Sequence, residues 1–81
     1  MKTLTFMRTN ETYYQVKDGE FLFELIFEVP KSLWVLRTYR RIACSWRLES
    51  VHDLYSTRIE TYDGLIDYFL KTFNCDVRWE A

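Results

Sequence analysis

The chain holds few residues that could act as a nucleophile, a base or a metal ligand. His52 is the single histidine, and the two cysteines, Cys44 and Cys75, stand far apart without a CxxC motif. Both cysteines lie in alternating apolar patterns that predict buried free thiols, with a disulfide between them as the alternative. Burial disfavours the reactive thiolate. Two cysteines and one histidine also cannot fill a tetrahedral zinc site unaided. We therefore expect neither nucleophilic catalysis nor a metal site.

Phosphate and acid–base chemistry find equally little support. Gly19 and Gly64 are the two glycines, and they fall in a predicted turn and a predicted helix. No glycine-rich loop could therefore let the backbone approach a phosphate closely. Glu24 and Glu28 share one face of a predicted strand, where carboxylates are ordinarily solvated. The sequence predicts a protein that is not an enzyme and uses no cofactor.

The charge distribution is the feature that suggests a binding site. Residues 31–47 carry Lys31 and four arginines with no acidic residue, although the whole chain has a net charge of −1. Aromatic side chains are interleaved with these arginines, and on a strand residues 37, 39, 41 and 47 would share the outward face. The candidate binding residues are Arg37, Tyr39, Arg41 and Arg47, followed by Arg40 and Trp34.

Three interpretations of this basic cluster stay open. It could be a solvated face whose arginines pair with Glu24, with Glu28 or with the acidic last third of the chain. It could recognise a protein, since Arg, Tyr and Trp are enriched at binding hot spots. It could also bind nucleic acid, because basic and aromatic side chains on a sheet hold phosphates and stack bases. The slightly acidic chain, with a pI near 5.8, argues against the last interpretation.

Length and composition predict one folded domain over residues 1–81. Hydrophobic residues make up 48% of the chain and aromatic residues 19%, and large rings let few residues build a substantial core. No apolar run approaches the roughly 20 residues that a membrane-spanning helix needs. The first residues lack the apolar run of a signal peptide, so we expect a cytoplasmic protein that does not enter a membrane.

Alternating apolar residues predict most of the strands. The clearest alternation is in residues 20–29, where Phe21, Phe23, Leu25, Phe27 and Val29 are expected to face the core. The Asp18-Gly19 pair before it predicts a tight hairpin turn, since Gly accepts a positive φ without steric cost. Further strands are predicted over residues 3–8, 12–17, 42–48, 54–60 and 75–80.

Two neighbouring regions decide the architecture. Residues 32–40 are rich in β-favouring side chains and predict a strand, with a short helix capped by Ser32 as the alternative. Strict alternation over residues 42–48 predicts an inward face, followed by a turn at residues 49–53. The side chains expected to point inward are Ile42, Cys44, Trp46 and Leu48.

The helix prediction covers residues 61–74. Thr61 is a suitable N-cap, Asn74 can end the helix in a left-handed conformation, and an apolar stripe runs between them. The stripe consists of Leu65, Ile66, Phe69, Leu70 and Phe73. The sequence thus predicts an α+β fold, with a mostly antiparallel sheet of five to six strands and one main helix packed on one face. A helix at residues 32–40 would instead give a ferredoxin-like β-α-β-β-α-β order over residues 20–80.

These features together predict a small cytoplasmic binding module that acts by protein–protein interaction. Small size, dense aromatic content and the lack of a catalytic constellation are typical of stand-alone inhibitors. Phage-encoded blockers of host enzymes or defence systems, anti-CRISPR proteins among them, share this general character without a common motif. The alternative function is nucleic-acid binding through residues 34–47. A homodimer is a further hypothesis, because the strand face of Leu22 and Ile26 is half apolar.

Overall fold

The computed structural model describes residues 1–55, 59 and 63–80. Six strands and one helix make up the described regular elements, with a short 3-10 turn at Val29–Lys31. The predicted N-cap at Thr61 lies outside the described residues, as does most of the predicted strand over residues 54–60. The elements are β1 (Lys2–Asn10), β2 (Tyr13–Asp18), β3 (Phe21–Glu28), β4 (Leu33–Ile42), β5 (Ser45–Leu54), α1 (Asp63–Phe73) and β6 (Cys75–Glu80).

The strands form one six-stranded mixed sheet in the order β5-β4-β3-β2-β1-β6. Successive strands from β1 to β5 pair antiparallel, whereas β6 pairs parallel with β1, with Lys2 opposite Cys75. Four antiparallel pairings in succession make β5 run in the same direction as β1. The segment that contains α1 then returns the chain to the other end of the sheet, so that β6 runs in the direction of β5 and β1. The predicted α+β class is confirmed, and the expected mostly antiparallel sheet is corrected to a mixed one.

A tight hairpin turn joins β2 to β3, as predicted. Asp18 pairs with Phe21, so the two-residue loop is Gly19-Glu20, one position later than expected. Gly19 has a φ of +58°, a value that residues with a side chain rarely adopt. Glycine therefore fixes the position of this turn.

The ambiguous region after Pro30 is a central strand. Residues of β4 pair with β3 on one side and with β5 on the other. Trp34 and Leu36 are buried on one face of β4, and Val35 is buried on the other, between Ile26 of β3 and Asp53 of β5. The alternative helix at residues 32–40 is therefore wrong, and so is the ferredoxin-like arrangement that required it.

The chain reverses again at a hairpin that the sequence did not indicate. Ile42 pairs with Ser45 across the two-residue loop Ala43-Cys44, and Ala43 has a φ of +54° without being glycine. The expected single strand over residues 42–48 is wrong. Its inward face is wrong as well, because Ile42, Cys44 and Leu48 are exposed and Trp46 is half-buried.

The predicted turn at residues 49–53 is also corrected. Strand β5 continues through this segment to Leu54, with an irregularity where Ser50 and Leu48 pair with successive residues of β4. Glu49 is the extra residue of this β-bulge, which bends a strand without ending it.

The hydrophobic core lies on the face of the sheet that α1 covers. Phe69 of α1 is fully buried and its ring contacts those of Phe6 and Phe23. The expected inward face of β3 is buried at Phe23 and Leu25, whereas Val29 is exposed because β3 ends at Glu28. In the described part of the chain, no helix is both long and apolar enough to cross a membrane.

Candidate functional site

The six candidate binding residues divide between the two faces of the sheet. Residues directly opposite each other in a ladder share a face, and the loop Ala43-Cys44 sets Arg40 opposite Arg47 and Arg41 opposite Trp46. Arg37, Tyr39 and Arg41 therefore face away from α1, on what we call the outer face. Arg40 and Arg47 lie on the helix side. The expectation that Arg47 shares a face with Arg41 is wrong, because the two-residue loop inverts the alternation.

Trp34 belongs to the core. Only 6% of the residue is exposed. The centre of its ring lies 5.7 Å from the ring centre of Tyr14 and 5.5 Å from that of Phe27. Trp34 lies on the buried face of β4, opposite to the face that carries Arg37 and Tyr39. Trp34 is therefore a packing residue, and the candidate surface contains Trp46 in its place.

The exposed part of the cluster is the end of the β4–β5 hairpin, residues 40–48, which we call the hairpin end. Every one of these residues is exposed except the half-buried Trp46. Two apolar side chains stand out among them, since Ile42 is 44% exposed and Leu48 is 48% exposed. The hairpin end thus presents apolar and cationic groups together.

Two of the three arginines of the hairpin end pair with no acidic side chain in the part of the chain that the structure describes. Arg40 pairs with Glu49, with its Nε 3.3 Å from Oε1, and its guanidinium lies 5.0 Å from the centre of the Phe21 ring. Within the described residues, Arg41 and Arg47 form no ion pair. No carboxylate occurs between residues 40 and 48, although Glu20 lies beside this surface, where its carbonyl accepts a hydrogen bond from the Arg41 N–H at 2.7 Å. The surface therefore carries a local excess of positive charge.

Arg37 is held differently, inside a polar network on the outer face. Its Nη2 lies 3.5 Å from Oε1 of Glu28, which also pairs with Lys31 at 3.6 Å. Beside it, the Tyr13 hydroxyl donates a hydrogen bond to the Glu24 carboxylate. Arg37 therefore fits the interpretation of a solvated face with pairs inside the sheet, whereas Arg41 and Arg47 do not.

The tyrosines of this network predict a loss of stability in alkali. Burial raises the pKa of Tyr39 above its ordinary value, and a hydrogen bond to Glu24 raises it further. The same two causes raise the pKa of Tyr13. Because the unfolded chain releases these protons at a lower pH, the network stabilises the fold fully below about pH 10. That contribution falls as the pH rises through the folded-state pKa values.

Urea unfolding at pH 9 and pH 11 checks this expectation. We expect the double variant Tyr13→Phe with Tyr39→Phe to lose less stability than the wild type between the two pH values. A variant that loses as much as the wild type would contradict the assignment. Tyr55→Phe is the control, because Tyr55 is exposed and outside the network.

The described residues offer little for metal or nucleophilic chemistry. None of them form a group of three or more His, Cys, Asp or Glu side chains that could hold a metal ion. The His52 Nε2 lies 3.4 Å from the Tyr68 hydroxyl of α1, a pair that the sequence did not indicate. Cys75 is buried as predicted, whereas Cys44 is exposed in the hairpin loop.

Comparison with known proteins gives no relationship on which a function could rest. No protein-family model, no curated protein and no solved structure matches this chain with statistical significance.

Proposed function

We propose that this protein is a binding module that docks its hairpin end onto an acidic surface of another protein. One observation carries the proposal, namely that Arg41 and Arg47 form no ion pair with any described residue and lie next to the exposed side chains of Ile42 and Leu48. Arginine is enriched at protein interfaces because its planar fork binds carboxylates bidentately. The module would act by occupying a surface rather than by catalysing a reaction.

The arrangement of the hairpin end suits contact from both sides. Arg41 lies opposite Trp46 on the outer face, whereas Arg40 lies opposite Arg47 on the helix side. Like charges directly opposite each other destabilise a sheet slightly. Glu49 offsets the charge of Arg40, and a partner carboxylate beside Arg47 would remove the remaining repulsion, which favours an acidic partner.

Two free thiols support action in the cytoplasm. Cys44 and Cys75 form no disulfide, and Cys44 is exposed. Reducing compartments preserve such thiols, whereas oxidising ones favour disulfides.

A second candidate function is nucleic-acid binding. A two-stranded ribbon can enter the major groove of DNA, and the hairpin end is such a ribbon with arginine on both sides. The chain as a whole carries a net charge of −1, and Glu49 lies next to the ribbon and pairs with Arg40. Protein recognition is therefore the function that the charges favour.

Charge reversal at the hairpin end tests the proposal. We expect Arg41→Glu with Arg47→Glu to weaken partner binding at least tenfold, because it replaces both unpaired cations with anions. Lys71→Glu with Arg78→Glu is the matched control, since it changes the net charge equally at exposed positions on α1 and β6. Affinity capture from a lysate, followed by titration of the captured protein, measures the difference. Equal binding by both variants would overturn the proposal.

Labelled single- and double-stranded oligonucleotides separate the two functions. Their fluorescence anisotropy would be measured with wild type and with both double variants at low and moderate salt. Micromolar binding that weakens steeply with salt, and that only the hairpin variant loses, would assign the surface to nucleic acid. We expect no binding at low salt.

A further inference from the structure

Within residues 1–55, 59 and 63–80, no other element covers the outer face of strands β2–β5, because α1 and the core lie on the opposite face. Its side chains are only partly polar. Leu22, Ile26 and Leu33 are half-buried on it, and Val51 is 51% exposed. A sheet face with this apolar content is a candidate contact surface.

Cross-strand pairs between β3 and β4 make this face complementary to itself. Leu22 lies opposite Tyr39, Glu24 opposite Arg37, and Ile26 opposite Val35. Consider a twofold axis that runs between β3 and β4, parallel to the strands. It would set β3 of one copy over β4 of the other, so that each residue would contact the residue type that lies opposite it in its own sheet. Leucine would meet tyrosine, isoleucine would meet valine, and the glutamate would meet the arginine.

We infer that a second copy of this chain covers the outer face, forming a symmetric sandwich of two sheets. Aligned packing at about 30° between strand directions is the common geometry for stacked sheets. The Glu24 carboxylate and the Arg37 guanidinium would each face the opposite charge in the second copy. Any face whose neighbours were alike in charge would instead repel its own copy, so this pairing selects the second copy as the occupant.

The dimensions of the face suit such a dimer. Four strands span about 19 Å, and eight residues along a strand span about 26 Å. This projects to roughly 500 Å², and side-chain relief brings the accessible area towards the roughly 800 Å² per partner of a standard interface. The polar share of the face leads us to expect dissociation in the micromolar range rather than an obligate dimer.

The proposed dimer leaves the helix side of the hairpin end free, whereas Arg41, Trp46 and Leu48 lie on the outer face beside the interface. The axis runs parallel to the strands, so both hairpin ends would emerge at the same end of the dimer. Arg40 and Arg47 face the helix side and stay outside the interface. Dimerisation therefore goes beyond the proposed function, and the absence of a dimer would not contradict partner binding by the hairpin end.

Sedimentation velocity from about 1 to 200 µM tests the inference. We expect the wild type to move from the 10.0 kDa monomer to twice that mass as the concentration rises. Ile26→Lys should raise the dissociation constant at least tenfold, because it sets a cation at the centre of the interface. Leu70→Lys is the control, since Leu70 is 41% exposed on α1, on the opposite side of the sheet, and should leave the dimer intact.

Val51→Lys keeps the test valid if Ile26→Lys fails to fold, because Val51 is more than half exposed and needs no burial in the monomer. It too should weaken the dimer, while circular dichroism reports an intact fold. A wild type that stays monomeric throughout would overturn the inference, and so would dimers that survive both substitutions. If the wild type is monomeric and the double variant Arg41→Glu with Arg47→Glu still abolishes partner binding, the proposed function holds without the dimer.

Discussion

Replacing Phe69 with alanine is expected to lower the free energy of unfolding by about 3–5 kcal/mol. The side chain is fully buried. The centre of its ring lies 5.7 Å from that of Phe6, 5.0 Å from that of Phe23 and 5.7 Å from that of Phe73. The substitution removes the ring that joins α1 to β1 and β3 and leaves a cavity. A domain of this length has about 4–12 kcal/mol of stability, so roughly a quarter or more of it would be lost.

Leu70→Ala is the matched control for this substitution. The sequence placed Leu70 in the apolar stripe of α1, which is wrong, because Leu70 is 41% exposed. We therefore expect a loss below about 1 kcal/mol. Urea unfolding followed by circular dichroism measures both midpoints. Coincident curves for the two variants would show that α1 does not pack through Phe69.

Trp34→Ala is expected to destabilise the fold by a similar amount, about 3–5 kcal/mol. Its ring fills the space between Tyr14 and Phe27, and alanine would leave most of that volume empty. Any loss of partner binding in this variant should follow from unfolding. Binding measured at a temperature where the variant is still folded should therefore stay within about twofold of the wild type.

Arg47→Ala separates packing from recognition. Arg47 is exposed and has no ion pair among the described residues, so the free energy of unfolding should change by less than about 0.5 kcal/mol. Partner binding should weaken, in contrast to the folded Trp34 variant. If Trp34→Ala instead kept its stability and lost its binding, Trp34 would be a contact residue as the sequence first indicated.

Much of the fold could be predicted because local signals agree with the tertiary structure. Gly19 marks the β2–β3 hairpin, alternation marks β3, and the apolar stripe marks α1. The mixed pairing could not be predicted, since β6 has the same alternating pattern whether it pairs parallel or antiparallel. The hairpin at Ala43-Cys44 was missed because neither residue is one of those that favour a positive φ.

That missed loop explains the errors in the candidate site. A continuous strand would keep Arg41 and Arg47 on one face, but a two-residue reversal pairs Arg40 with Arg47. The alternation of Ile42, Trp46 and Leu48 predicted a buried face, yet the turn places Trp46 and Leu48 on the outer face, opposite Arg41 and Tyr39, and Ile42 is 44% exposed. The concentration of arginine was visible in the sequence, whereas its division between two faces depends on the turn.

The parallel contact between β1 and β6 has a consequence for the speed of folding. Lys2 pairs with Cys75, so this contact closes a loop of about seventy residues, whereas β2 to β5 are joined by short connections. Contacts between distant residues slow folding, because the entropy of loop closure must be lost before the contact forms. The hairpins should therefore form early, and the docking of β6 should be the slow step that completes the sheet.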